Sequence, residues 1–258
     1  VLREAYSGPG SVRAINYVEA IGFRDGQVVL QDRATGKEFL HQADIVVNAT
    51  GPWVDRTNQA LGLVSAYMGG TKGSHIVVDN PALHDACLGR EVFFENDDGR
   101  IVLIFPLGGK VLVGTTDIPI DNPDEATCTE DEVDYFIDLA RHVFPGLPID
   151  RSQIVYRYSG VRPLPAAGDV NPGVVSRDYR IVTDELDSGQ RLVSLVGGKW
   201  TTFRALGEHL AHDVLALMDK NPGASTAEAP IGGGRDYPRG ATERTDWIAQ
   251  NRGSLSQE

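Results

Sequence analysis

Short runs of alternating hydrophobic and polar residues open the chain. Residues 11–19 alternate loosely, and the runs 27–31 and 37–40 flank a turn at residues 33–36. Alternation with a period of two, bounded by turn residues, is typical of half-buried strands. The pattern therefore predicts a β-meander in the first forty or so residues.

A continuous apolar run follows at residues 43–49 and ends at Thr50-Gly51-Pro52. Unbroken apolar runs are typical of strands that are covered on both faces, as in a parallel sheet between helices. We therefore expect a strand of a parallel sheet here, buried on both faces.

The next region has the pattern of antiparallel hairpins. Turn signals at residues 97–99 and 108–109 separate runs that are rich in β-forming residues. Aspartate and glycine at such positions favour tight turns between strands. We therefore expect a second, antiparallel sheet. Its predicted strands cover residues 74–78, 91–95, 100–106 and 110–115.

A helix is predicted after these hairpins. Thr129 and Glu132 have the spacing of a capping box, and apolar residues recur at helical intervals from Val133 to Ala140. Phe144-Pro145-Gly146 predicts the end of the helix, because proline and glycine do not continue it. Further strands are predicted at residues 154–158, 179–184 and 192–196.

The last of these strands leads into a glycine turn and an amphipathic helix. The turn is Gly197-Gly198-Lys199-Trp200-Thr201-Thr202, and apolar residues recur at helical spacing from Phe203 to Leu217. Beyond Asp219 the chain is rich in proline, glycine and alanine, which predicts a linker and the start of a further unit.

Composition narrows the classes of function. A chain of 258 residues with 41% hydrophobic residues can bury a core. A formal net charge of -12 disfavours a nucleic-acid binder, because phosphate recognition depends on Lys and Arg. Cys87 and Cys128 have no CxxC spacing and no histidine cluster, so neither a disulfide framework nor a metal site is predicted and a reducing setting fits. No apolar run is long enough to span a bilayer.

The turn at residues 197–202 is the first candidate for ligand binding. A helix start presents unpaired backbone N–H groups and a partial positive charge, and glycines let a ligand approach the backbone. A reduced flavin carries negative charge at its N1 and C2 carbonyl region and would suit this position. A strand-to-helix turn without a ligand is the alternative, since such turns are common in α/β folds.

Three side chains have chemistry that suits an anionic alcohol. Arg162, between a predicted strand end and a proline, suits a bidentate grip on phosphate or carboxylate. Lys199 lies in the glycine turn, where the helix dipole disfavours a cation, and this is a weak sign of function. His75 heads a predicted strand and can accept the hydroxyl proton that leaves when an alcohol is oxidised. Each of the three also fits an ordinary surface or structural role.

A second turn, residues 48–53, ends the predicted buried strand at the place where open α/β sheets bind ligands. A strand exit that needs small residues explains this turn equally well. Thr115-Thr116-Asp117 fits a polar pocket wall or a plain turn. The residues by themselves therefore indicate an anion-binding α/β site and no specific reaction.

Taken together, six segments resemble the FAD-dependent glycerol-3-phosphate dehydrogenases, and they occur in that family's order. The patterns KGSH, GVRPL and GGKxTTxR are the most specific of them, and the resemblance covers roughly residues 10–215. The six segments are residues 47–53, 72–75, 114–117, 159–164, 176–179 and 197–204.

The resemblance implies a mixed α/β (α+β) fold like that of D-amino-acid oxidase. Part of a glutathione-reductase-like FAD domain would be interrupted by an antiparallel substrate-binding cap. The implied division is residues 1–64 for the first part of the FAD domain, 65–157 for the cap, 158–218 for the return of the FAD domain, and 219–258 for a linker and the start of a C-terminal domain.

The resemblance also implies oxidation of sn-glycerol 3-phosphate to dihydroxyacetone phosphate, with hydride transfer to FAD and electrons passing on to quinone. It implies that Arg162 and Lys199 are cations of the substrate site and that His75 is the base or an orienting group. A cytoplasmic location is implied, with peripheral contact at the inner face of the cell membrane as a second option. Cofactor contacts are implied for Thr50, Gly51, Gly160, Gly198, Lys199, Thr201 and Thr202.

The sequence departs from this family at its N-terminal side and after Pro230, where most of the family's helical C-terminal domain would follow. The family begins with a GxGxxG turn that holds the FAD pyrophosphate; no such turn occurs here, and Gly232-Gly233-Gly234 follows a linker instead. We therefore expect a middle portion of such an enzyme that by itself binds FAD weakly or not at all and has no measurable activity. Two alternatives stay open: a glycerol-3-phosphate oxidase that uses oxygen, and a non-catalytic ligand-binding or interaction module.

Overall fold

A computed structural model describes residues 12–97, 99–166, 178–230, 234 and 236–253. Glu19–Leu206 form one compact unit, and the described residues before and after this range belong to a second. The motif residues Ser176 and Arg177, like Gly232 and Gly233, lie outside the described residues. The domain boundaries at residues 64, 157 and 218 stay a prediction.

The described strands are β1 (Val18–Arg24), β2 (Gln27–Asp32), β3 (Glu38–His41), β4 (Ile45–Asn48), β5 (Thr71–Val78), β6 (Val92–Glu95), β7 (Ile101–Leu107), β8 (Lys110–Gly114), β9 (Ile118–Pro119), β10 (Ile154–Arg162), β11 (Arg180–Glu185) and β12 (Arg191–Val196). The described α-helices are α1 (Val54–Ala60), α2 (Pro81–Ala86), α3 (Glu130–Val143), α4 (Phe203–Leu217) and α5 (Ala241–Asn251). Short 3-10 turns at Gly51–Trp53 and Trp200–Thr202 precede α1 and α4. The predicted mixture of helices and sheets is thereby confirmed.

A three-stranded sheet in the order β1-β2-β3 confirms the predicted β-meander, but its first strand is Val18–Arg24 and not residues 11–19. Asp25 and Gly26 connect β1 to β2 with φ values of 52° and 73°. Two successive positive φ values are the geometry of a tight hairpin turn, which aspartate and glycine adopt more readily than other residues.

The predicted antiparallel hairpins are confirmed as part of a six-stranded sheet. The strand order is β10-β5-β8-β7-β6, and β9 pairs with β5. Gly108 and Gly109, with φ values of 55° and 76°, form the turn between β7 and β8. β5 lies next to β10 and β8, so residues of three strands that are distant in sequence meet around it.

The two faces of this sheet differ in burial. Ile76 and Ile104 point to one face, where they are fully buried in a core that includes Phe136 of α3. Successive residues of a strand point to opposite faces. On the other face Phe93 and Tyr156 are 64% and 63% exposed. We call this second side the open face of the sheet.

Helix α3 begins with the predicted capping box. Thr129 Oγ1 accepts a hydrogen bond from the backbone N–H of Glu132, and the Glu132 carboxylate accepts one from the backbone N–H of Thr129. These bonds satisfy N–H groups that a helix start leaves without partners. The helix ends at Val143, before Phe144-Pro145-Gly146, as predicted.

The predicted parallel strand is also confirmed, but its burial is not. β4 pairs in parallel with β12, which pairs on its other side with β11. The expectation that β4 is buried on both faces is wrong, since Val47 is 42% exposed. The described residues cover the Val47 side of the sheet only in part. Leu192 of β12, in contrast, is fully buried against Val28 and Leu61.

The remaining elements follow the predicted order. Helix α4 follows the glycine turn, residues 219–230 are exposed, and α5 comes after them. Cys87 and Cys128 are free and buried. Within the described ranges, no helix combines the length and the apolar character needed to cross a membrane.

Candidate active site

Three predicted site residues lie together on the open face of the six-stranded sheet. β10 and β5 pair so that Gly160 lies opposite Gly73 and Arg162 lies opposite Thr71, while His75 is two residues beyond Gly73 on β5. Directly opposed residues of antiparallel strands share a face, as do residues two apart in one strand. His75, Gly160 and Arg162 therefore share the open face.

Three oxygen atoms of the loop after β8 hold the Arg162 guanidinium. Nη1 donates to the Thr116 carbonyl and to Oδ1 of Asp117, both at 3.1 Å, and Nη2 donates to Oγ1 of Thr115 at 3.1 Å. The ion pair with Asp117 is partly buried. Charge-assisted bonds in a planar fork fix direction as well as distance. The guanidinium is therefore oriented by the protein itself.

Gly73 provides the space that the guanidinium occupies. A Cβ atom at this position would lie 2.5–2.7 Å from the terminal atoms of the Arg162 side chain. Carbon atoms are not found so close to nonbonded neighbours. The glycine of the KGSH pattern is therefore required by the arginine of the GVRPL pattern, which lies across it on the neighbouring strand.

His75 is held between the two strands that flank β5. Its ring stacks on Tyr158 of β10, with a centroid separation of 5.0 Å and an interplanar angle of 9°. On the other side it lies over Gly114 of β8, where an added Cβ would be 2.7 Å from Nε2. These contacts restrict the ring to one orientation on the open face.

The environment of His75 favours its neutral form. Burial lowers the pKa of His75 because it disfavours the charged imidazolium, and the positive charge of Arg162 lowers it further. Nδ1 is buried and has no hydrogen-bond partner among the described residues. A neutral imidazole at neutral pH can accept a proton, which is the property that a general base needs.

The other predicted site residues follow the parallel strands β4 and β12. Because these strands are parallel and Asn48 lies opposite Ser194, their carboxyl ends reach the same edge of the sheet. Thr50 and Gly51 follow the first strand, and Gly198 to Thr202 follow the second. We call these two segments the strand-edge turns.

A buried network anchors the first strand-edge turn. Asn48, 2% exposed, donates from Nδ2 to the carbonyl of Val54 at 2.9 Å and to Oδ1 of Asn58 at 2.7 Å. Its Oδ1 accepts the Thr50 hydroxyl at 2.7 Å and the Thr50 N–H at 3.2 Å. Asn58 in turn donates to the Ser194 hydroxyl of β12 at 3.1 Å. The turn is thus fixed to both parallel strands.

The second strand-edge turn depends on glycine. Gly197 and Gly198 have φ values of 82° and 105°, which favour glycine over other residues. A Cβ on Gly197 would lie 2.8 Å from the Asp178 carbonyl and 3.2 Å from Pro165. Lys199 is exposed and has no ion-pair partner within the described part of the chain.

The open face and the strand-edge turns are neighbours. The segment after Arg162 passes Gly197 at Pro165, and β10 runs close to the turn Gly51–Trp53. The structure therefore brings the two groups of predicted residues to one region of the unit Glu19–Leu206. The motifs that meet there are spread over residues 48–202 of the sequence.

Sequence analysis missed several residues that build this region. Tyr158 precedes the SGVRPL pattern directly, and its place opposite His75 follows from strand register alone. The pattern around Asp117 indicates only a turn or a pocket wall, and nothing in the sequence pairs it with Arg162. The pattern around Glu132 indicates a capping box and no other role. Long-range pairing decided all three roles.

Comparison with known proteins identifies the family. Residues 2–212 match the model of the FAD dependent oxidoreductase (DAO) family. The chain belongs to this family. The family binds FAD, and the strand-edge turns fit such a cofactor, since Gly51 (φ 63°) has no atom within 4 Å of the place where a Cβ would stand.

Curated relatives narrow the similarity further. The chain is 35% identical over 243 residues to a glycerol-3-phosphate dehydrogenase of Synechocystis, a match that covers 87% of this chain and 43% of the relative. It is 35% identical over 204 residues to D-erythritol 1-phosphate dehydrogenase of Brucella abortus, covering 78% of this chain and 39% of the relative. The chain thus spans less than half the length of either protein.

A solved structure has a similar fold. The glycerol-3-phosphate dehydrogenase of Bacillus halodurans, complexed with FAD, superposes with a TM-score of 0.71 at 27% sequence identity. The match covers 92% of this chain and 45% of that chain. The fold is therefore that of an FAD-binding oxidoreductase, as the resemblance implied.

Proposed function

We propose that the protein oxidises sn-glycerol 3-phosphate to dihydroxyacetone phosphate with FAD as cofactor and quinone as the final electron acceptor. The observation that carries the proposal is that His75 and Arg162 share the open face of the sheet, within a chain of the FAD-dependent oxidoreductase family. A base and an anion-binding cation on one face are what oxidation of a phosphorylated alcohol requires.

Arg162 would bind the phosphate group. Its guanidinium can make parallel hydrogen bonds to two phosphate oxygens, and the oxygens of Thr115, Thr116 and Asp117 hold it in place. Lys199, exposed in the second strand-edge turn, would add a second positive charge. Two cations fit a substrate with about two negative charges near neutral pH.

His75 would take the hydroxyl proton. Oxidation of the C2 alcohol to a ketone removes one hydrogen with two electrons from carbon and one proton from oxygen. The imidazole can accept that proton only when it is neutral, and its lowered pKa keeps it neutral at physiological pH. Tyr158 and Gly114 would keep the ring in the orientation that this transfer needs.

The strand-edge turns and one glycine of the open face would hold the cofactor. FAD, when bound, supplies the acceptor for the two electrons and the hydrogen that leave carbon. The small or glycine residues of both turns let a ring system approach the backbone, and Lys199 places positive charge beside them. The residues we propose for this role are Thr50, Gly51, Gly160, Gly198, Lys199, Thr201 and Thr202.

The substrate and the electron acceptor each have one alternative. D-erythritol 1-phosphate is a second candidate substrate, because the relative that bears its name is also 35% identical to this chain, over 204 residues against 243 for the glycerol-3-phosphate dehydrogenase. Oxygen is a second candidate acceptor, which would make the protein an oxidase. We favour quinone and a cytoplasmic protein at the inner face of the membrane, as in the family that the motifs resemble.

The deciding experiment is the visible spectrum, under anaerobic conditions, of the longest form of the protein that binds FAD. Glycerol 3-phosphate should bleach the flavin absorbance, and Arg162→Met should weaken this response by raising the substrate concentration that it requires. Bleaching by D-erythritol 1-phosphate alone would move the assignment to the second substrate. A spectrum that neither compound changes would leave an FAD protein of other function, including the non-catalytic module.

The acceptor is tested separately. A substrate-reduced protein that transfers electrons to a quinone analogue and reoxidises slowly in air is the expected result. Rapid oxygen consumption with substrate, measured with an oxygen electrode, would instead identify an oxidase.

A further inference from the structure

A buried polar network lies on the side of β5 that faces away from Arg162. Its centre is Glu132 of α3, whose side chain is 3% exposed. One carboxylate oxygen accepts hydrogen bonds from Lys72 Nζ at 2.6 Å and from the Thr129 N–H at 2.8 Å, and the other accepts the Thr116 hydroxyl at 2.6 Å. A buried carboxylate is costly unless bonded in this way.

Glu132 remains ionised in this environment. Burial raises its pKa, but the hydrogen bonds from Lys72, Thr116 and Thr129 act in the opposite direction and outweigh burial, so that the pKa is lowered to about 2. The bonds to Lys72 and Thr116 are therefore charge-assisted, and such bonds are shorter and stronger than neutral ones.

Thr116 connects the network to Arg162. Its hydroxyl donates to Glu132 and accepts the backbone N–H of Ser74 at 2.9 Å, while its carbonyl accepts Nη1 of Arg162 at 3.1 Å. A single residue thus bonds the carboxylate on one side of the strand and the guanidinium on the other. Thr116 is 1% exposed, so no solvent replaces these bonds.

The network also holds the strand beneath the guanidinium. Lys72 is bonded to Glu132 directly, and Ser74 is bonded to it through Thr116. Gly73, between them, is the residue across which the guanidinium lies. A displacement of Glu132 would therefore move Gly73, against which the guanidinium lies, and the Thr116 carbonyl oxygen, which orients it.

We propose that Glu132 is a positioning residue for Arg162, acting through Thr116, and that it raises the affinity of the site for the substrate phosphate. The proposal rests on the function proposed above. Glu132 itself does not reach the open face, and its effect passes through bonds to Thr116 and Lys72. A helix that carries none of the recognised motifs would in this way determine substrate binding.

The experiment compares four variants of the longest form of the protein that binds FAD. Thr116→Val removes the hydroxyl at nearly constant shape, Thr116→Ser restores it, and Glu132→Gln removes the charge. Ile137→Val is the matched control, since it weakens the packing of the same helix but leaves the hydrogen bonds of Glu132 in place. The readouts are the calorimetric Kd for glycerol 3-phosphate, KM and kcat, and the ¹H–¹⁵N signals of the Arg162 guanidinium.

Thr116→Val and Glu132→Gln should each raise Kd and KM about tenfold, the value of one charge-assisted hydrogen bond, with a smaller change in kcat. The Arg162 signals should shift or broaden in both. Thr116→Ser should return Kd to within about twofold of the parent, because its hydroxyl can donate to the carboxylate again. Ile137→Val should lower Tm and leave Kd unchanged.

Two results separate this inference from the function on which it rests. Unchanged Kd and unchanged Arg162 signals in folded Thr116→Val protein would overturn the role of Glu132. Failure of the parent protein to bind glycerol 3-phosphate would overturn the proposed function, and the guanidinium signals would still report whether Glu132 and Thr116 position Arg162. Equal effects of Ile137→Val and Thr116→Val on Kd would also overturn the inference, since helix stability would then explain both.

Discussion

At the scale of single residues, the site depends on two positions without a side chain. Gly73 leaves room for the Arg162 guanidinium, and Gly114 leaves room for the His75 ring. Both glycines lie in strands, where glycine is ordinarily unfavourable because it adds no packing. Their presence is explained by the larger side chains that cross them from the neighbouring strands.

Gly114→Ala should displace the His75 ring, because the added methyl group would lie 2.7 Å from Nε2. Misplacement of a catalytic group by about 1 Å can cost about a hundredfold in rate, so kcat should fall by roughly that factor. Gly207→Ala is the control, since no atom lies within 4 Å of its added Cβ. A Gly114→Ala enzyme with parental kcat would show that the ring orientation is unimportant.

The charge of Arg162 should be measurable in the titration of His75. Arg162→Met removes a positive charge that lowers the His75 pKa, so the pKa should rise while burial keeps it below its ordinary value. NMR titration of the ring protons measures this directly, and the acidic limb of kcat/KM should move to higher pH. Arg157→Met, on the same strand but bonded to Glu130, should leave the His75 pKa unchanged.

At the scale of elements, α3 combines two functions in one carboxylate. Glu132 completes the capping box that starts the helix and also joins the helix to β5 and to the loop after β8. Helix start, strand and loop therefore share one buried charge. Loss of that charge should affect the stability of all three together.

The Glu132 pKa predicts how stability depends on pH. The pKa is about 2 in the folded protein and 4.5 when unperturbed, so the stabilisation is complete above pH 4.5 and is lost as the pH falls toward 2. A difference of this size corresponds to about 3 kcal/mol. Denaturant unfolding at a series of pH values should show a steeper acid loss for the parent than for Glu132→Gln.

Asp131→Asn provides the control for this titration. Asp131 is exposed and lies next to Glu132 on the same helix. Asp131→Asn should keep the steep acid loss of the parent protein, because Glu132 and its hydrogen-bond partners are unchanged. If Glu132→Gln and the parent lose stability equally between pH 4.5 and 2, the carboxylate does not have the lowered pKa.

At the scale of the whole molecule, the six-stranded sheet separates stability from chemistry. One face packs on α2 and α3 and forms the core, and the open face carries His75 and Arg162. The alternation of side chains along each strand makes this division possible, since every second residue serves each face. Substitutions on the two faces should therefore have different consequences.

Phe136→Ala should be strongly destabilising. Phe136 is fully buried against the sheet, and truncation of a buried phenylalanine typically costs about 3–5 kcal/mol. Phe93 lies on the open face and is 64% exposed, so Phe93→Ala should cost less than about 1 kcal/mol. Urea unfolding of both variants measures the contrast, and similar losses would mean that the open face is covered in solution.

Much of this architecture could be predicted from the sequence. The turn at Gly108-Gly109, the capping box of Thr129 and Glu132, and the glycine turn after β12 are all specified by neighbouring residues. The motifs also identified His75 and Arg162 as the side chains for an anionic alcohol. Such features depend on interactions within a few residues, which the local sequence encodes completely.

The tertiary structure alone decided which of these residues meet. Arg162 pairs with Asp117 across 45 positions, and Glu132 bonds Thr116 across 16. These contacts depend on the strand register of β5, β8 and β10 and on the docking of α3, and a shift of one residue would turn each side chain to the other face. The sequence determined the elements and the chemistry of the side chains, and the packing of the whole unit determined their partners, because register is fixed by burying one face of the entire sheet.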